Sequence, residues 1–529
     1  MARRDQASPL LASLVCAASG LSVGFAFWPY RTGFIAYFVL VPFIIFSGLR
    51  DGRGRWLLNS LVFGFCYYLG SLYWIAMLDR EQIAFPWLRI PAAVVLSLYL
   101  SLFMVLLALA VRRLVRARVP FELAFALAWG GVEYLRSLGP LGFPWASLGY
   151  SQTSYAPVIQ QAALVGTYGI STWLALINAL IARLILAPRV RTAVAVVVVF
   201  AIPVAGGALV LRGAECRDSI RLSLVQPNIG GAVKWDAAYR DSTMHILDEM
   251  TVAAGGSAMI VWPETAVPVY AKHTPGCLDS LAGTARRSGS FVLAGFPDYE
   301  LTGEGPRYYN SAMLISPAGQ IVGEYRKIHL VPFGEMIPFE DRIAFLRNIN
   351  FGEGDFSPGT TYDVFEVDSK RFGVAICFES IYPGLVRKFV GEGADFIVNI
   401  TNDEWFGRSA GPYQHAEMAV MRSVESRVAL ARCANTGVSM LVDPYGRITA
   451  RTGLFTRETL TGDLHTTSPG TPYSRWGYIF ELMLILLPAA GAAVPLFRGR
   501  PRAGAEGGGE GGGASAGAGR APGASVPGV

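Results

Sequence analysis

Long, nearly uncharged apolar stretches limit what this chain can fold into more than any other feature. A helix needs about 20 apolar residues to cross a bilayer. Eight stretches approach or meet that length: 10–27, 33–49, 56–78, 90–111, 121–138, 158–186, 193–211 and 476–497. The fifth is the weakest, because it carries Glu122, Glu133 and Arg136. The first follows Arg3 and Arg4, as the core of a signal peptide would, but more apolar segments follow at once, so it reads as a first span. Only 16% of the 529 residues are charged, against about 25% in soluble proteins. These values rule out a disordered chain and argue strongly against a wholly soluble one. Six cysteines are too sparse for a disulfide scaffold.

Arginine marks alternate ends of the stretches. Arg50, Arg53 and Arg55 follow the second, Arg112, Arg113, Arg116 and Arg118 the fourth, Arg183, Arg189 and Arg191 the sixth, and Arg498, Arg500 and Arg502 the last. The opposite connections hold only Arg31, Arg80, Arg89 and Arg136. The positive-inside rule puts the arginine-rich side in the cytoplasm, so the net charge of +6 is no sign of nucleic-acid binding. The expected organisation is seven spans in 1–212, an extracytoplasmic block in 213–470, an eighth span in 471–498 and a disordered Gly/Ala-rich cytoplasmic tail in 499–529. Both termini are then cytoplasmic.

Within the outer block, residues 220–225, 258–262, 291–295, 311–316, 320–325, 372–377 and 396–400 read as strands, and 414–433 as a long helix. This alternation predicts an α/β domain. Polar residues stand at or just past three strand ends: Glu264, Lys327 and Cys377. A cysteine nucleophile at neutral pH is mostly protonated and needs a base. Attack on a carbonyl also needs positive charge or donors where the oxyanion develops. One carboxylate, one ammonium and one thiol meet those needs, with Glu264 as base, Lys327 as oxyanion stabiliser and Cys377 as nucleophile. Only five of the 45 basic residues are lysines, and Lys327 stands in a mostly apolar, strand-like context.

The words around these residues are more specific than the residues themselves. Trp262-Pro-Glu-Thr-Ala-Val-Pro268, Arg326-Lys-Ile-His-Leu-Val-Pro-Phe-Gly-Glu335 and Ile376-Cys-Phe-Glu379 occur in that order. They resemble the Glu, Lys and Cys motifs of the nitrilase, or carbon–nitrogen hydrolase, superfamily, which implies an αββα sandwich. With the spans on either side, nearly the whole chain resembles the apolipoprotein N-acyltransferase family. Further matching words are Val225-Gln-Pro-Asn-Ile229, Tyr309-Asn-Ser311, Asn402-Asp-Glu-Trp-Phe-Gly407 and Gly142-Phe-Pro-Trp-Ala-Ser-Leu-Gly-Tyr-Ser-Gln152.

The resemblance implies an enzyme of the bacterial inner membrane with its catalytic domain on the periplasmic side. The acyl donor would be a phospholipid, phosphatidylethanolamine, and the acceptor a diacylglyceryl apolipoprotein. A thioester on Cys377 would link the two half-reactions. No metal, nucleotide or other cofactor is called for, and a monomer is expected. Glu335, Glu379, Trp235, Asn310 and Trp145 match family positions that support the site; packing or an interfacial belt accounts equally well for Trp145. Phe378 is a departure, since some members carry Tyr there. Another expectation concerns Phe333, Met336, Ile337, Phe339, Ile343, Phe345, Leu346 and Phe351, an apolar segment that would dip to the membrane and guide acyl chains; an ordinary packed loop accounts for it equally well.

Two rival readings share parts of this pattern. A membrane-tethered nitrilase-type hydrolase would use the same trio with water as acceptor. A transporter or scaffold with an outer module would have no use for three intact motifs. Gly407-Arg-Ser-Ala-Gly411 fits a serine-hydrolase pattern but lacks the strand that must lead into the serine. The five histidines show no zinc spacing. Glu133 is expected to pair with Arg136.

Overall fold

The computed structural model describes residues 8–497, apart from 53, 79–85, 304, 341 and 343–355. Ile343, Phe345, Leu346 and Phe351 of the apolar segment, and the tail 499–529, lie outside the described residues.

The N-terminal half is helical: α1 (Pro9–Val23), α2 (Val41–Phe46), α3 (Trp56–Ser71), α4 (Arg89–Arg116), α5 (Phe121–Leu135), α6 (Ala156–Ile159), α7 (Ala162–Leu186) and α8 (Val190–Arg212). Among the described residues, Pro9–Ala26, Arg89–Arg116, Ala162–Leu186 and Val190–Arg212 are long and apolar enough to cross a membrane. The helix α8 buries almost none of its apolar surface, with Val190, Val197, Ile202 and Leu209 all exposed. Apolar surface of that extent is suited to lipid rather than water.

The second expected span is broken into a 3-10 turn, Gly33–Tyr37, and the short α2. Pro42 has no backbone N–H to extend the turn and sits where a new helix starts. The sixth expected span is divided between α6 and α7, and α7 is kinked at Gly166, where φ is +63°. A Cβ at Gly166 would lie 2.3 Å from the Tyr473 ring, so only glycine permits both the kink and this approach. Tyr473 belongs to the C-terminal helix, Pro472–Phe497. Glu133 and Arg136 form no direct hydrogen bond. Glu133 Oε1 accepts from Trp129 Nε1 (2.9 Å) and the Leu148 N–H (2.8 Å), while Arg136 donates to the Phe143 and Trp145 carbonyls and to Ser147 Oγ. Together they hold the loop that carries Trp145.

The second half contains β1 (Asp218–Gln226), α9 (Gly231–Lys234), α10 (Arg240–Ala253), β2 (Met259–Val261), α11 (Cys277–Ser288), β3 (Phe291–Thr302), β4 (Gly305–Ile315), β5 (Ile321–Arg326), β6 (Val364–Val367), β7 (Lys370–Ile376), α12 (Pro383–Gly391), β8 (Phe396–Thr401), α13 (Gly411–Ser426), β9 (Ala429–Ala434), β10 (Met440–Val442), β11 (Ile448–Arg451), β12 (Glu458–Thr466) and α14 (Pro472–Phe497). The strands form two six-stranded sheets, ordered β12-β1-β2-β3-β4-β5 and β11-β10-β9-β8-β7-β6. Each has three parallel strands at its centre, β1-β2-β3 and β7-β8-β9.

Leu222, Leu224, Val261 and Leu293 of the first sheet share one core with Val374, Ile376, Val398 and Leu430 of the second. The other face of the first sheet packs on Leu247 of α10 and Leu281 and Ala285 of α11. Leu385 and Phe389 of α12 and Ala419 of α13 cover the second. The layers are therefore α, β, β, α. Residues 414–433 are not one helix. Arg427 takes a left-handed conformation (φ 51°) that ends α13, and Ala429–Ala434 is a strand. That strand is buried throughout, so it has no polar alternation to betray it.

Phe378, Ile381, Met418, Met421 and Val424 belong to the core of the N-terminal bundle, not to the sandwich. Arg422 and Glu425 of α13 bind Thr167 just beyond the α7 kink. The two halves thus share a packed boundary.

Candidate active site

Three strands deliver the trio. Glu264 lies two residues past Trp262, whose N–H still bonds to Leu293 beside β2 (2.8 Å). The turn at Glu264 presses against β3 at Gly295, where a Cβ would lie 2.5 Å from the Pro263 carbonyl and 2.9 Å from Glu264 Cα. Lys327 follows β5, and its N–H donates to the Asn310 carbonyl of β4 (2.9 Å). Cys377 stands where β7 gives way to a 3-10 turn, Cys377–Ile381, with φ at 53°. This elbow at a parallel strand end is the position from which α/β sheets present chemistry.

Lys327 is 1% exposed and Glu264 6%. Lys327 Nζ donates to Glu335 Oε1 at 2.7 Å and lies 3.4 Å from Glu264 Oε1. Asn310 Nδ2 lies between the same two carboxylates, 2.8 Å from Glu264 Oε1 and 3.1 Å from Glu335 Oε1. The Asn402 N–H donates to Glu264 Oε2 (2.8 Å), and the Val331 N–H to Glu335 Oε2 (2.9 Å). Burial by itself would lower the pKa of the Lys327 ammonium, but Glu335, Glu264 and Cys377 outweigh it and hold the group above its ordinary value. Burial and the Glu264 charge push the Cys377 thiol up, against a smaller pull from Lys327. At neutral pH the resting pair is therefore a thiol beside an ammonium, and a proton must be removed as the thiol attacks.

Glu379 touches none of these reactive groups. Its Oε1 accepts from Tyr325 Oη (2.9 Å) and from the N–H groups of Ile328 (2.7 Å) and His329 (3.0 Å), and its Oε2 accepts from the Ile376 N–H (2.6 Å). One buried carboxylate thereby ties the backbone after Lys327 to the backbone before Cys377. Phe378 is buried toward the bundle, with ring centroids 6.1 Å from Phe143 and 5.4 Å from Tyr382.

Trp235 and Trp145 stand apart from the trio in different ways. Trp235 is 43% exposed, with the Lys234 ammonium 5.2 Å from its ring. Trp145 is 2% exposed at the boundary between the halves, where Nε1 donates to Gln414 Oε1 (2.8 Å). All six cysteines are free. Cys433 is buried, and its thiol faces the Val225 and Val261 carbonyls. Asp403, His415 and Arg432 cluster behind Cys377, and no single motif word marks them for the site; their signal is a set of charged residues in otherwise buried elements.

The chain matches two family profiles. Residues 221–468 match the one described as Carbon-nitrogen hydrolase, and residues 19–180 the one described as Apolipoprotein N-acyltransferase N-terminal domain. An apolipoprotein N-acyltransferase of Geobacter metallireducens is 37% identical over 506 residues, which cover 93% of this chain and 94% of that protein. The chain belongs to the apolipoprotein N-acyltransferase family. A second relative of that name, from Brucella melitensis, is 36% identical over 498 residues, covering 88% and 91%. Among solved structures, an amidase from Nesterenkonia sp. aligns with 47% of this chain and 91% of its own at 20% identity and a TM-score of 0.37. As a member of the apolipoprotein N-acyltransferase family, the chain joins a nitrilase-like α/β enzyme domain to a set of apolar helices.

Proposed function

We propose that this membrane enzyme moves a fatty acyl chain from a phospholipid to the N-terminal amine of a diacylglyceryl-cysteine. The observation that carries this reading is the placement of Lys327 between Glu264 and Glu335, with its charge acting on Cys377.

In the first half-reaction, the Cys377 thiol gives its proton to Glu264 while its sulfur attacks the ester carbon. The oxyanion that forms is stabilised by the Lys327 ammonium. The C–O bond then breaks, and the departing lysophospholipid oxygen takes the proton from Glu264. A thioester on Cys377 remains. In the second half-reaction, the acceptor amine attacks the thioester carbon and loses a proton to Glu264. The C–S bond breaks, and the proton returns to the sulfur. The sum converts one ester and one amine into one amide and one lysophospholipid. Glu335 and Asn310 hold Lys327 and Glu264 in place. Glu379 holds the two chain segments together. Trp235 and Phe339 are both substantially exposed and apolar, which suits them to contact acyl chains.

The membrane arrangement belongs to the same reading. Seven spans in 1–212 carry the chain across, 213–470 forms the catalytic domain outside the cytoplasm, and 471–498 returns it, leaving 499–529 as a cytoplasmic tail. Arginine on alternate connections supports that orientation. The donor is phosphatidylethanolamine, cleaved at its sn-1 ester, and the enzyme acts as a monomer.

The test is mass spectrometry of the purified protein after incubation with phosphatidylethanolamine. A fatty acyl adduct on Cys377 is expected, and a diacylglyceryl-cysteine peptide should discharge it as an amide. Discharge by water at the same rate would identify a hydrolase instead. Full activity in Cys377→Ser would remove the mechanism altogether.

A further inference from the structure

Behind Cys377 lies a buried polar cluster that the reaction above does not use. A non-glycine residue at positive φ is strained and persists only where its surroundings hold it. At Cys377 the surroundings act on the carbonyl. Its oxygen lies 3.0 Å from Ser380 Oγ, 3.2 Å from His415 Nε2 and 3.4 Å from Asn399 Nδ2.

His415, on α13, is fully buried. Its Nδ1 lies 2.8 Å from Asp403 Oδ1, and Asp403 also accepts from Arg432 (2.8 Å) and Thr401 Oγ1 (3.1 Å). Burial alone would raise the Asp403 carboxyl, but Arg432 and His415 outweigh it and hold it at about 2. Burial, then Arg432, hold the imidazole below its ordinary pKa. A neutral ring beside an ionised Asp403 presents Nδ1–H to it, and Nε2 then faces the Ser380 hydroxyl at 3.3 Å. On its other side the ring meets Trp145, with centroids 5.4 Å apart. Trp145 is itself held by Gln414 and by the loop that Arg136 binds. The imidazole is thus fixed between the helical half and the nucleophile's backbone.

We propose that His415 is a positioning residue for Cys377: anchored by Asp403 and Trp145, its Nε2 accepts from and fixes the Ser380 hydroxyl that lies against the Cys377 carbonyl, and so sets the direction of the thiol. This rests on Cys377 being the nucleophile. Small misplacements of a reacting atom can cost about 100-fold in rate, so the effect should be kinetic and not confined to stability.

The opposing view makes His415 a structural member of the Asp403–Arg432 network only. Two substitutions rank oppositely under the two views. His415→Asn places its amide where Nδ1 was, keeping the Asp403 contact and leaving the Cys377 carbonyl side empty. His415→Gln reaches the Nε2 position and gives up Asp403.

The experiment measures the single-turnover rate of acyl-adduct formation on Cys377 in the full-length, detergent-purified protein with phosphatidylethanolamine, together with the melting temperature of each variant. Positioning predicts that H415N acylates at least about tenfold more slowly, at a melting temperature close to that of the unaltered protein, and that H415Q is faster than H415N. An H415N rate near the unaltered one, or H415Q slower than H415N, overturns the proposal. If neither variant folds, Ser380→Ala decides. A loss of about tenfold at unchanged melting temperature supports it, and an unchanged rate overturns it. A Cys377→Ala control separates the two levels. An adduct that persists there refutes the nucleophile itself, whereas an adduct confined to Cys377 with an unaffected H415N refutes only the role of His415.

Discussion

Lys327 is bonded more tightly to Glu335 than to Glu264, at 2.7 Å against 3.4 Å. Glu335 thus carries most of the ammonium's pairing and leaves Glu264 freer to accept a proton. In Glu335→Gln the ammonium should turn fully onto Glu264 and make it a poorer base. General-base catalysis contributes about 100- to 10,000-fold, so the acylation rate should fall by roughly 100-fold. The phospholipid KM should change little, because the substitution leaves the apolar surfaces alone. A stopped acylation assay with varied phospholipid separates the two. A raised KM with unchanged maximal rate would point to a substrate-binding role for Glu335 instead.

The Cys377 thiol is pushed well above its ordinary pKa by burial and by Glu264. Alkylation proceeds through the thiolate. The iodoacetamide rate at Cys377 should therefore rise about tenfold per pH unit between pH 6 and 9, with no plateau. Removing the nearby negative charge in Glu264→Gln should raise the thiolate fraction, so alkylation should speed up while acylation slows. Acylation at the unaltered rate in Glu264→Gln would mean that Glu264 does not act as the base.

Glu379 gives a pH signature of a different kind. Burial pushes its carboxyl up to about 7, against the pull of the Ile376 and His329 N–H groups and the Lys327 charge. The value in the unfolded chain is about 4.3. With the folded value the higher one, the stability this group contributes is complete below pH ~4.3, is lost as pH rises through about 7, and is flat above. Glu379→Gln cannot titrate, so its melting temperature should fall less between pH 5 and 7 than that of the unaltered protein. Calorimetry over that range checks the sign. A steeper fall in the variant would contradict it.

The strands around the site were legible because each is a short apolar run bounded by turn residues, as at 220–225 and 396–400. Glu264, Lys327 and Cys377 were legible because motif words surround them. The strand Ala429–Ala434 was not, because it is buried on both faces and rich in alanine, which also suits a helix. Nor was the His415 cluster, since Asp403, His415 and Arg432 come from three separate elements and meet only in the folded sheet. The break in the second apolar stretch was hidden in the same way. Hydropathy counts apolar residues and does not see that Pro42 opens a new helix.

Arg387 of α12 and Glu481 of α14 form a two-bond ion pair, both bonds 2.8 Å, that fastens the catalytic domain to the C-terminal helix. The side chains are 13% and 3% exposed. Breaking a buried pair by removing one partner costs about 3–5 kcal/mol, because the other charge is left without compensation, whereas replacing both by apolar groups is often neutral. Glu481→Ala should therefore lower the melting temperature of the detergent-solubilised protein. Arg387→Met combined with Glu481→Leu should recover most of the loss, since the double change leaves no stranded charge. If the pair acted instead by steering the two parts into register, the double variant would melt normally yet acylate poorly. Melting temperature and single-turnover rate measured on the same three proteins distinguish these outcomes.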